Sequence, residues 1–150
     1  MMKTELYTPF LDATRQVLQT MLDLSDIAER SAEQFDEGQE NLEISVGVVG
    51  DLEGTITYRF PSDTSLNIVQ ILSGMEMDSV DDFVASAVSE IANIISGTVM
   101  TLLSADNLTC DILPPVQGRL DNQKEYTQHT QCCITTSAGD ICLDIALSRA

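Results

Sequence analysis

Positive charge is what this chain has least of: seven Lys and Arg stand against 24 Asp and Glu, a formal net charge of −17. A polyanion is gripped by clustered Lys and Arg, so nucleic acid is excluded as a partner, and an anionic membrane surface is excluded on the same ground. No cation lies between Arg59 and Arg119, and no glycine-rich loop carries a Lys, so the chain has no phosphate pocket of its own. Any phosphate handled by this central stretch has to be held by a partner. Histidine is reduced to His129, and one imidazole without a carboxylate pattern around it builds neither a metal site nor a triad. It reads as structural or exposed. Cys110, Cys132, Cys133 and Cys142 lack the CxxC spacing of a zinc site, and the adjacent pair points to opposite faces of a strand, so it cannot bridge. All four read as buried thiols, which disfavours a small-molecule enzyme built on Cys or His. Near Lys3 and Glu5 there is no continuous apolar run, hence neither a signal peptide nor a membrane span is expected, and the chain is predicted to be cytoplasmic.

What is present is enough for a core. With 150 residues, 43% of them hydrophobic, the chain is expected to form one domain over residues 1–150 and to bury roughly 68–70% of the surface it exposes when unfolded. Thr8-Pro9 resembles a helix start, and Phe10, Leu11, Val17, Leu18, Met21 and Leu22 recur at helical spacing behind it. The acidic segment 33–43 is the one internal stretch with the composition of a disordered chain. Residues 42–49 and 55–60 are rich in β-formers and flank Gly50 to Gly54, a five-residue hairpin connection. Pro61 stops the second strand, Ser62, Asp63 and Thr64 offer caps, and a helix carrying Leu66, Ile68, Val69, Ile71 and Leu72 ends near Gly74. Ser79-Val80-Asp81-Asp82 resembles a capping box for a long helix over residues 81–104. Pro114-Pro115 limits residues 109–118 to an edge strand or a loop, and residues 126–135 and 141–147 read as strands joined by a turn at 137–140. The fold class predicted is α+β: an antiparallel sheet packed on one face by long helices.

The long helix carries the most informative pattern, Ser86-x-x-x-Glu90-x-x-Asn93-x-x-x-Gly97. At about 100° per residue these four fall within a narrow arc, opposite Val84, Val88, Ile91, Ile95 and Leu102. Asn is a poor interior residue for a helix, because its amide competes for backbone hydrogen bonds, so its presence asks for an offsetting gain. Phe83, Ala87, Ile94 and Met100 border the stripe as an apolar collar. Taken singly, Glu90 reads as a solvated surface carboxylate, Asn93 as a locally satisfied amide, and Gly97 as a close approach between helices.

The four-residue pattern, followed at a distance by Pro115, resembles the single-site CheX branch of the CheC/CheX/FliY chemotaxis phosphatases. The hairpin before it, the paired strands after it and the chain length are similar too. The resemblance implies hydrolysis of the aspartyl phosphate of a CheY-like response regulator, with Glu90 and Asn93 as the catalytic pair. Asn93, with both a donor and an acceptor, would orient the attacking water without titrating, and Glu90 would anchor the regulator through the Lys beside its phosphorylated Asp. Ser86, Gly97 and Pro115 would have support roles, with Phe83, Ile94 and Met100 excluding water around them. The chain would need no cofactor of its own, since the regulator brings Mg²⁺, Lys and phosphate. Relatives of this type dimerise through their sheets, so a homodimer is expected. The competing expectation is a non-catalytic adaptor that grips a regulator or a flagellar-switch component with the same helix face.

Overall fold

A computed structural model of the chain describes residues 3–30, 41–118 and 128–149. Most of the acidic segment 33–43, along with Arg119 and Tyr126, lies outside the described residues. Three helices, α1 (Lys3–Leu22), α2 (Ser62–Ser73) and α3 (Asp82–Ser104), accompany strands β1 (Ala28–Arg30), β2 (Asn41–Gly50), β3 (Leu52–Pro61), β4 (Cys110–Ile112), β5 (Val116–Gln117), β6 (Gln128–Thr136) and β7 (Gly139–Arg149). The strands make one sheet in the order β1-β6-β7-β3-β2-β4, with β5 also paired to β2, and every ladder is antiparallel.

Alternation along the strands decides which face meets the helices. Leu42, Ile44, Val46 and Val48 of β2, Ile56, Tyr58 and Phe60 of β3, Cys132 and Ile134 of β6, and Ile141, Leu143, Ile145 and Leu147 of β7 share one cluster with the buried side chains of α1, α2 and α3. Each such burial contributes about 1.5–3 kcal/mol for a large apolar side chain, and together they fix α3 against the sheet. The opposite face carries Ser45, Thr57, Arg59 and Ser148, polar yet nearly inaccessible. This is the one-sided α+β arrangement the periodicity predicts.

Several local readings shift. The first helix begins ahead of Pro9, which lies inside it. The hydrogen bond that proline forgoes would run four residues back, into the opening turns where the ladder is only starting. The cap of α3 is Asp81 rather than Ser79: its carboxylate accepts from the Val84 N–H at 3.0 Å. In the β2–β3 hairpin the last paired residues are Val48 and Gly54, but both strands run on, because β2 continues against β4 and β3 against β7. Gly54 has φ 153° and faces the backbone of Ala146, an approach that a Cβ would block. The 109–118 stretch is both things anticipated, two short edge strands with the proline pair between them.

The cysteines depart from the all-thiol expectation. Cys133 and Cys142 stand directly opposite in the β6–β7 register, with Cα atoms 4.1 Å apart, and form a disulfide on the face away from the helices. Neighbours in sequence alternate faces, so Cys133 cannot meet Cys132, but pairing across the turn brings it to Cys142, which spacing alone does not reveal. Cys132 and Cys110 are free, the first buried and the second half-buried.

Candidate functional site on helix α3

The site is a helix face, and α3 is built to present it. Asp81 caps the first turn, and Asp82 adds a second carboxylate at the positive end of the dipole. Val84, Val88, Ile91, Ile95, Val99 and Leu103 turn inward, and α3 lies against α1, α2, β2, β4 and β5. By length and composition α3 could cross a membrane, but its apolar face is used up inside the fold.

On the outward side, Ser86 and Glu90 are exposed and Asn93 and Gly97 half-buried. Their steps of four, three and four residues confine them to an arc of about 60°, with Glu90 and Asn93 about 4.5 Å apart along the axis. Four other polar side chains of the helix close on its own backbone. Ser89 donates to the Ala85 carbonyl, Ser96 to Ala92, Thr98 to Ile94 and Thr101 to Gly97, at 2.7–3.2 Å. The side chains of Ser86, Glu90 and Asn93 make no hydrogen bond or ion pair to any described residue. An amide and a carboxylate are thus held side by side with their hydrogen-bonding capacity unspent.

Gly97 is a glycine that the described packing of the chain does not call for. A Cβ at this position would meet nothing within 4 Å, so packing between the chain's own helices does not require glycine. Gly inside a helix costs about 1 kcal/mol relative to Ala, and no contact among the described residues offsets that. Gly97→Ala is therefore expected to stabilise the isolated chain by about 0.5–1 kcal/mol in urea denaturation while weakening whatever docks on the stripe. A loss of stability would point to a packing role instead.

The collar is narrower than the helical wheel predicts. Phe83 is 49% exposed and Ala87 and Ile94 are half-buried beside the stripe, but Met100 is only 7% exposed and belongs to the core. A wheel gives an angle and not the neighbouring layer that closes over it. Pro115 is half-buried in the β4–β5 connection, and both of those strands rest on α3.

The lone histidine and the buried free thiol, both read from the sequence as structural, lie away from the stripe. His129 is on the far sheet face with Nε2 3.1 Å from Asp144 Oδ1. Cys132 is buried beneath α1, and burial pushes its thiol up to about 11, which leaves it protonated at neutral pH. A cleft of about 340 Å³ opens beside α2, lined by Asp63, Asn67, Gln70, Glu76 and Asp78 among others, and it contains no residue of the stripe. What the sequence reading missed is Ser96, buried on the inward side of α3, whose Oγ lies 2.7 Å from the hydroxyl of the fully buried Tyr58 on β3. A serine amid the apolar positions of the helix was the available signal.

Among the described residues, two uncommitted polar side chains thus stand on the outward face of a helix that a one-sided antiparallel sheet holds in place. The chain belongs to the family of the chemotaxis phosphatase CheX, whose family model matches residues 43–137. The CheY-P phosphatase CheX of Thermotoga maritima is 35% identical over 77 residues, 49% of this chain and 50% of that one, so the chain spans about half the length of the curated relative it matches. Among solved structures, the chemotaxis protein CheX from Vibrio vulnificus superposes with a TM-score of 0.82 at 21% identity over 99% of both chains. CheX of Borrelia burgdorferi, crystallised as a CheX-CheY-BeF3-Mg²⁺ complex, gives 0.69 at 27% identity, covering 95% of this chain and 97% of that one.

Proposed function

We propose that this chain hydrolyses the aspartyl phosphate of a CheY-like response regulator, with Asn93 orienting the attacking water and Glu90 anchoring the regulator. The observation that carries this reading is the outward, unpaired placement of both side chains within one turn of α3. Family membership and the complex formed by the Borrelia relative support it.

The chemistry fits what the chain lacks. An acyl phosphate is already activated, so its hydrolysis needs a water held in line with the leaving carboxylate and charge already arranged around the phosphoryl group. The water oxygen bonds to phosphorus, the bond to the aspartyl oxygen breaks, and the water's proton passes to the released phosphate. Asn93 accepts from the water through its carbonyl and donates through its amide, without a titration of its own. Mg²⁺, the Lys and the phosphate come with the regulator, so a helix without a single cation is sufficient. Ser86 and Gly97 let the regulator's backbone close on the helix, Phe83 and Ile94 exclude water, and Pro115 shapes the rim.

The same reading assigns a cytoplasmic protein acting as one domain over residues 1–150 and, as the resemblance implies, a homodimer. The decisive experiment follows the lifetime of a phosphorylated regulator with and without the chain in Mg²⁺ buffer. Accelerated decay is expected; binding with an unchanged or lengthened lifetime would mark an adaptor. Because a net charge of −17 repels an acidic regulator, association is expected to quicken as salt rises toward about 0.1 M, where the Debye length is about 10 Å. A steep slowing in stopped-flow binding would contradict this electrostatic picture.

A further inference from the structure

We propose that Tyr58 and Ser96 form a positioning pair that fixes the rotation of α3 about its axis and so sets where Asn93 points. This inference rests on the phosphatase reading above and deepens it. Tyr58 sits on β3, in the interior of the sheet between β7 and β2. Its ring stacks on Phe60 of the same strand, with centroids 6.2 Å apart and planes 12° from parallel. The phenol is wholly buried and reaches across the layer to Ser96 Oγ at 2.7 Å, and Ser96 Oγ donates to the Ala92 carbonyl at 2.9 Å. Since the serine has one proton and gives it to Ala92, the phenol donates to Ser96. The resulting chain, Tyr58 O–H to Ser96 O–H to the Ala92 carbonyl, runs from the middle of the sheet to the residue before Asn93.

Most of α3's seat is a row of aliphatic contacts, Val84, Val88, Ile91, Ile95, Val99 and Leu103, which resist separation from the sheet but carry no direction. A hydrogen bond has direction and a narrow distance range. The Tyr58 hydroxyl supplies that direction, tying the sheet to the segment of α3 that bears the site. A roll of about 20° would carry a side-chain tip some 6 Å from the axis through about 2 Å. Misplacement of about 1 Å is enough to cost a reaction on the order of a hundredfold when a group must hold a water in line.

Tyr58→Phe keeps the ring and leaves Ser96 bonded to Ala92, so no buried group is stranded and the fold is retained. Single-turnover and steady-state dephosphorylation of the phosphorylated regulator are measured for wild type, Tyr58→Phe, Ser96→Ala and the double variant. Expected is a fall in kcat of about tenfold in each single variant, with KM within twofold, and no further fall in the double variant. Unchanged kcat in Tyr58→Phe, a loss confined to KM, or losses that multiply in the double variant would overturn the pair's positioning role. A wild-type chain that fails to shorten the regulator's phosphorylated lifetime would instead overturn the phosphatase reading itself, and this inference with it.

Discussion

Asn93→Ala is expected to slow the dephosphorylation of a bound regulator by about a hundredfold or more, with affinity for the regulator nearly unchanged. The amide lies half-buried on α3 and uses none of its donors or acceptors within the described chain, so truncation leaves no internal partner stranded. Ala is also the better helix former, by a few tenths of a kcal/mol, and the variant should melt no lower than wild type. What disappears is the group that holds water in line with the phosphorus, an effect confined to the transition state and therefore read in kcat rather than in KM. Single-turnover decay of the saturated complex measures it directly. Decay at the wild-type rate would remove Asn93 from the chemistry, whatever became of binding.

Glu90 should separate from Asn93 in the opposite sense. Glu90→Gln is expected to weaken regulator binding about tenfold, and Glu90→Lys by a further tenfold or more, because the first removes an attraction to the partner's Lys and the second replaces it with repulsion. Those factors correspond to about 1.4 kcal/mol each, within the range for a charge pair desolvated at an interface. At saturating regulator most of the turnover should return in Glu90→Gln. Titration of rate against regulator concentration distinguishes the outcomes: equal affinities in Glu90→Lys and wild type would mean that the carboxylate is an ordinary solvated side chain.

The α3 stripe could be read from the sequence because a helix has a fixed period, so residues four, three and four apart must share a face wherever the helix lies. The strands over 42–49, 55–60 and 141–147 were legible from runs of β-formers between turn residues, and in the folded chain their alternation puts Leu42, Ile44, Ile56, Phe60, Leu143 and Ile145 in the core. Features that depend on which elements become neighbours were not legible. Three residues of mixed character, Ala28 to Arg30, give β1 no period to detect, and it exists because β6 offers it a ladder. The Cys133–Cys142 bond depends on the β6–β7 register, and Met100 is removed from the collar by a layer that a wheel does not contain. Tyr58 and Ser96 are far apart in sequence and meet only once β3 and α3 are stacked.

The two rims of the sheet have a consequence for the chain in a crowded solution. One rim is β1, three residues long, and the other is β4 and β5, three and two residues interrupted by Pro114 and Pro115, which have no N–H to offer. Along that second rim the outer side of β2 is already occupied, with Leu113 and Gly118 donating to the Gly47 and Glu43 carbonyls between and beyond the short ladders. Along this second rim a misfolded neighbour seeking a template for strand addition finds no long free edge among the described residues, so cross-β aggregation has little to grow from there while the fold is intact.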